Sequence, residues 1–228
     1  GIVATPNDFG VQGQRPTHPE LLDWLTTELM ARGWKLKTMH KLIMTSAAYQ
    51  QASTFDVADA RLDPENQFLW RFSPRRMEAE IVRDNLLAVS RVLDRTQFGP
   101  GTLDEAQKRR SIYFMIKRSK LVPMMQLFDQ PEPLVSVGGR PSTTIAPQAL
   151  MFINNPQVRS YSHAFAKQLL PLYEKSADEA VRHGYLQSIG REPDADELKE
   201  TTAFLADQIK LYEADKKPSA KELALADF

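Results

Sequence analysis

The chain contains no cysteine. That excludes a disulfide framework, a thiolate nucleophile, a zinc site built on sulfur and the Cys-x-x-Cys-His attachment of a covalent haem. It has no net charge either, because Lys and Arg total 29 and so do Asp and Glu. A dedicated nucleic-acid binder needs excess cations to neutralise phosphates, so no nucleic acid is expected as a partner. There is no run of 18 apolar residues and therefore no membrane span. The chain lacks H-E-x-x-H, His-x-His, G-x-S-x-G and the lysine-bearing phosphate loop. His18, His40, His163 and His183 fall on separate elements. They give no ligand set, so neither a metal nor a cofactor is expected in this chain.

What is present is ordinary for a folded protein: 228 residues, 42% hydrophobic and 25% charged. The charge is unevenly spread. Residues 1–173 hold 21 basic and 16 acidic side chains, and the remainder hold 8 and 13. Gly1 opens without a signal peptide, and both ends read as the edges of a longer polypeptide.

The periodicity is mainly helical. "THPELLDWLTTELMARG" has Thr17 and Glu20 at capping-box spacing, Pro19 in a first turn and an apolar stripe from Leu21 to Leu29. A second helix is expected over about 36–50, and Asp63-Pro64 opens a short turn or helix carrying Phe68, Leu69 and Trp70. The longest helix is expected over about 73–98, with Ser73 as N-cap and Pro74 at the first helical position. Val82, Leu86, Val89 and Leu93 form its stripe, and Arg76, Glu80, Arg83 and Asp84 cluster on the opposite side. Leu87 projects from that charged side and Ile81 from the flank, so this helix is expected inside the domain.

"RSIYFMIKR" alternates and is rich in β-formers, which predicts a strand with "PLVSV" as its hairpin partner. Helices are then expected from Ala146 to Asn154 and on to about Leu170. Beyond Pro171, two helices pair through a turn at 190–193, and a last helix begins in "SAKELALADF". The predicted fold is a mainly α multi-helix domain with one small β-hairpin. It comprises a helical core over 1–172 and a helical C-terminal subdomain over 173–228.

Three clusters are candidate sites. Ahead of a helix N-terminus, the Gly138-Gly139 amides with Arg140, Ser142, Thr143 and Thr144 suit a small anion, although Thr144 as a simple helix cap explains the same pattern. Asp129 and Glu132 bracket Pro131 as a carboxylate pair, or else serve as a turn cap and a solvated acid. Arg75 and Glu78 point toward the stripe of the long helix. With Arg76, Glu80, Arg83 and Asp84 they read as a structural ion-pair network or as one wall of a pocket. "KRRSIYFMIKRSK" holds six cations, but alternation puts Ile112, Phe114 and Ile116 on one face, which reads as core. Trp24, Trp34 and Trp70 sit in apolar patterns and are expected to pack.

Five stretches in order carry a family resemblance. "GIVATPNDFG", "PTHPELLDWL", "LIMTSAAYQQAS", "DPENQFLWRFSPRRMEAEIVRDNLLAVS" and "STTIAPQALMFINNP" resemble a domain of unknown function in large planctomycete surface proteins. The likeness runs to about Leu170, with a looser echo in "GYLQSIGREPDADELKE", and "LALADF" resembles the start of that family's last helix. It implies a C-terminal position in an exported protein, after a sister domain of unknown function and often a cytochrome-c-like module. It implies an extracytoplasmic address and carries over no catalytic residue. The expected function is a non-catalytic interaction or scaffold domain whose partners are neighbouring domains of its own polypeptide. The alternative is a hydrolase of polysaccharide or sulfated glycan that uses acids among Asp129, Glu132, Glu78 and Glu80.

Overall fold

A computed structural model describes residues 2–134 and 136–228. The chain divides into two compact units. One is Gly1–Arg76 with Ser136–Arg140, and the other is Met77–Val135 with Pro141–Phe228. Among the described residues there are ten α-helices, one 3-10 turn and no sheet, and the β pairing is confined to isolated bridges.

The first unit holds α1 (Pro19–Ala31), α2 (Leu36–Met44) and α3 (Val57–Leu62). Pro19 stands at the start of α1, but His18 is the N-cap and the Thr17–Glu20 box does not form. The Thr17 hydroxyl donates to the Ile2 carbonyl at 3.1 Å. α2 stops short of Gln50 because the Thr45 and Ser46 hydroxyls turn back onto the carbonyls of Lys41 (2.8 Å) and Ile43 (2.7 Å). Such side-chain bonds compete with the helical ladder. α3 is capped by the Asp56 carboxylate, which accepts from the amides of Ala58 and Asp59. Trp24 and Trp34 do not pack as expected and are 48% and 69% exposed.

Directly after α3, the motif "DPENQFLWRFS" folds into a buried polar knot. Asp63 and Asn66 are each 8% exposed. The Asp63 carboxylate accepts from the amides of Gln67 (2.9 Å) and Phe68 (2.7 Å), and the Asp63 carbonyl accepts from the Trp70 indole at 3.0 Å. Asn66 Nδ2 donates to the Arg71 carbonyl and the Ser73 hydroxyl, both at 2.8 Å. The Arg71 guanidinium lies over Phe55 (5.0 Å) and Trp70 (4.9 Å), so aromatic faces flank a buried Nε that has no hydrogen-bond partner among the described residues.

The second unit starts with α4 (Ala79–Val89), much shorter than the expected 73–98. Ser73 is held by Asn66 rather than capping a helix, and Glu78 is the N-cap in an extended conformation. At the other end Arg91 takes a φ of 56°, which ends the helix, and the Asp94 amide bonds the Lys108 carbonyl at 2.9 Å. Arg75 and Arg76 therefore lie outside any helix, and their helical-face assignment falls.

Next come the 3-10 turn Ser111–Tyr113, α5 (Pro123–Leu127), α6 (Ala146–Asn154), α7 (Pro156–Tyr173), α8 (Ala177–Ile189), α9 (Ala195–Ala214) and α10 (Ala220–Asp227). Ala79, Val82, Phe114, Val122, Met125 and Phe128 form one core cluster. Ala166, Leu169, Val181, Leu205 and Ala224–Ala226 form another, shared by α7, α8, α9 and α10. The turn between α8 and α9 rests on Gly190 at φ 75°. α9 then begins with a capping box in which Asp194 and Glu197 each bond the other's amide. Gly184 lets the Phe228 ring approach, since a Cβ there would sit 2.5 Å from that ring.

The predicted hairpin strand is not found among the described residues. "RSIYFMIKR" contains the 3-10 turn, then one parallel bridge from Phe114 to Thr102, and Lys117 forms a tight bridge with Lys120. The Ser111 amide and Arg109 carbonyl, which a ladder would need, are bonded to side chains of α4. In the expected partner "PLVSV", Val135 lies outside the described residues. No helix among the described residues is long and apolar enough to cross a membrane.

Candidate functional site

The most developed polar cluster centres on Arg83. Its side chain lies on the charged α4 face, opposite the apolar stripe, and is only 2% exposed. The covering layer is the segment 107–114, which no helical periodicity announces. Arg83 donates to the carbonyls of Gln107 and Arg109 (2.9 Å) and to the Ser111 hydroxyl (3.3 Å), and it lies 4.7 Å over the Phe114 ring. Asp84 completes the clasp by accepting the Ser111 amide at 2.7 Å and pairing with Arg110 at 3.2 Å. Burial pulls the guanidinium below its usual range, while the Tyr161 hydroxyl and Asp84 act in the opposite direction.

A second arginine organises the outer side. The Arg109 guanidinium stacks 3.5 Å over the Tyr113 ring and donates to the carbonyls of Thr96 (3.2 Å), Phe98 and Pro100 (3.4 Å). The Tyr113 hydroxyl accepts the Phe98 amide at 2.7 Å. Each of these planar cations binds three acceptors, two backbone carbonyls and a hydroxyl for Arg83 and three carbonyls for Arg109, a structural use of the guanidinium fork.

The remaining candidates are dispersed. Asp129, at φ 61°, accepts the Thr143 amide (2.8 Å) and hydroxyl (2.9 Å). This clamp closes the corner between α5 and α6. Ser142 and Thr144 are exposed, and the N-cap of α6 is Ile145, so Thr144 does not cap it. Arg140 belongs to the other unit. Glu132 and Arg75 are exposed, Glu78 is the α4 N-cap, and Glu80 and Arg76 are half-buried. Gln148 was not anticipated. It is 6% exposed and donates to the carbonyls of Leu127 (2.9 Å) and Thr143 (3.1 Å). Its one available signal was being a lone amide in the apolar run "APQALMFI".

A groove of about 660 Å³ runs between α4, α6, α7, α8 and α10. Met77, Leu86, Phe152, Phe165, Tyr185 and Phe228 give it apolar walls, and Asn85, Tyr161, Ser162 and Ser188 add neutral polar groups. Burial raises the Tyr161 phenol above its ordinary value against the opposing pull of Arg83, so it stays neutral at physiological pH. None of Asp129, Glu132, Glu78 and Glu80 lines the groove, and its one carboxylate is Glu197. Arg191 holds Glu197 through both oxygens at 2.6 and 2.7 Å, lowering its pKa from 4.5 to about 2. The groove suits an apolar or weakly polar guest and offers no acid–base pair. Among the described residues no group of three metal-ligating side chains occurs.

The Glu197 shift has a pH consequence with a definite sign. Its folded pKa is depressed, so the stability it contributes is complete above about pH 4.5 and is lost as pH falls toward about 2. Urea unfolding should show the stability gap between wild type and Glu197→Gln closing across that window. A gap independent of pH would mean that the Arg191 pair contributes nothing.

The family described as PSD1, protein of unknown function (DUF1553), matches residues 1–205, and the chain belongs to it. Neither a curated protein nor a solved structure matches the chain.

Proposed function

We propose that this chain is a non-catalytic interaction or scaffold domain of a large exported multidomain protein, packing against neighbouring domains of the same polypeptide. The observation that carries the reading is the use made of the charged motif residues. Arg83, Asp84, Asp63 and Asn66 bind the backbone of their own chain. The groove meanwhile contains one carboxylate, and Arg191 occupies it. Catalytic acids instead converge on an open cleft.

A second observation supports a partner. No residue of α1 is buried and only Met39 of α2 is, while Trp24, Met30, Leu36, Ile43 and Met44 are 40–64% exposed. Apolar surface of that density marks a contact face. The extracytoplasmic address rests on the resemblance of the motifs.

Amide hydrogen exchange on this chain alone and on the polypeptide with its neighbouring domains tests the reading. Slower exchange in α1 and α2 of the longer protein is expected, and Trp24→Glu with Ile43→Glu should reverse it. Equal exchange in both proteins would overturn the proposal. So would turnover of a polysaccharide or sulfated glycan that Asp129→Asn abolishes.

A further inference from the structure

The segment around the 3-10 turn combines two properties that a core strand would not show together. Ile112, Met115 and Ile116 are 76%, 48% and 61% exposed, and only Phe114 of the alternating set is buried. Lys108 precedes them in the chain and Lys117, Arg118 and Lys120 follow, all exposed. No acidic side chain occurs between Ala106 and Phe128. Lys117 to Lys120 close a tight turn, with the Lys120 amide on the Lys117 carbonyl at 3.0 Å. Phe98, 82% exposed, is tied to the same lobe through the Tyr113 hydroxyl.

The lobe is held rigidly from beneath. The Arg83–Asp84 clasp grips Gln107, Arg109 and Ser111, and the Thr102–Phe114 bridge fixes the return strand of chain. Its shape therefore does not have to be ordered on binding, which removes one cost of association.

We propose that this lobe is a peripheral docking surface for an anionic phospholipid bilayer. Ile112, Met115 and Ile116 enter the boundary between headgroups and acyl chains, and Lys108, Lys117, Arg118 and Lys120 meet the headgroup phosphates. Aliphatic tips flanked along the chain by cations match both forces that hold a protein to such a surface. A protein partner is disfavoured because protein interfaces are depleted in lysine, whereas three of the four cations flanking these apolar tips are lysines. A single-stranded nucleic acid is disfavoured because it stacks successive bases on a row of aromatic faces, and Phe98 stands as a single open ring beside a Tyr113 that Arg109 covers at 3.5 Å.

The test is co-sedimentation of the full chain with vesicles of phosphatidylcholine alone and of phosphatidylcholine with phosphatidylglycerol. Binding to the anionic vesicles only is expected, weakening as salt is raised. Ile112→Ser with Ile116→Ser, and separately Lys117→Glu with Arg118→Glu, should each weaken it by about tenfold or more. All four side chains are exposed, so both variants should melt as wild type does, and the comparison reads binding rather than folding. Absent binding, or binding unchanged in either variant, overturns the proposal. So does tighter retention on single-stranded DNA that responds to the charge reversals alone. A self-association lost in the isoleucine variant would assign the lobe to a second copy of the chain and overturn it equally.

Discussion

Replacing Arg83 with methionine is expected to destabilise the larger unit by about 3 kcal/mol. Methionine fills similar volume, so the loss is chiefly polar. The carbonyls of Gln107 and Arg109 and the Ser111 hydroxyl would be left in a buried site without their donor, and Phe114 would lose its stacked cation. For a unit of this size the melting temperature should fall by roughly 10 °C. Arg83→Lys keeps the charge but not the fork, since one ammonium cannot reach three divergent acceptors and also stack, so an intermediate loss is expected. The control is Arg75→Ala, at an exposed position, where a change within about 0.5 kcal/mol is expected. Thermal and urea unfolding of the three variants decide the matter. If Arg83→Met melts like Arg75→Ala, the clasp is not what holds 107–114 in place.

The second large effect is expected at Asn66→Ala, with a loss of roughly 3 kcal/mol. Asn66 donates to the Arg71 carbonyl and the Ser73 hydroxyl, and it accepts the Arg71 amide at 3.3 Å. It also sits at φ 54°, where asparagine is tolerated and alanine is strained. Asn66→Gly separates the two causes, because it relieves the backbone but removes the same bonds. Glycine should therefore be the milder change, by about 1 kcal/mol. The Gln67 and Phe68 amides, held by Asp63, supply a local readout, and their exchange with solvent should accelerate in both variants. Glycine and alanine variants of equal stability would remove the backbone part of the explanation.

Both predictions concern residues that a sequence reading notices for the wrong reason. Arg83 is legible as a charged residue on a mostly apolar helix, and periodicity assigns it to an ion-pair cluster opposite the stripe. The helix is instead covered on that side by an irregular segment, and irregular segments leave no period to read. The strand expected at "RSIYFMIKR" fails for the same cause. Local β-propensity is outvoted because Arg83 and Asp84 take the backbone groups that a ladder would use. Ser73-Pro74 looks like a helix start, but Asn66, seven residues earlier, captures the serine hydroxyl. The acids Asp129 and Glu132 were legible as a pair. The structure gives Asp129 a partner fourteen residues away, Thr143, which no spacing rule relates to it.

By itself the sequence determined the helical class, the family and several element bounds. The helix at Ala146–Asn154, the pair joined at Gly190 and the start of the last helix all lie where proline, glycine and 3.6-residue spacing put them. Those signals act within a few residues, so a linear reading captures them. The tertiary structure alone decided which charges are buried, which apolar residues face water and where the long helix begins and ends. Each depends on chain arriving from 7 to 28 residues away to supply an acceptor, a donor or a covering ring. Burial is a property of that arrival, and it turned Arg83 from a member of an ion-pair cluster into a clasp on backbone carbonyls and Ile112 from a core residue into an exposed tip.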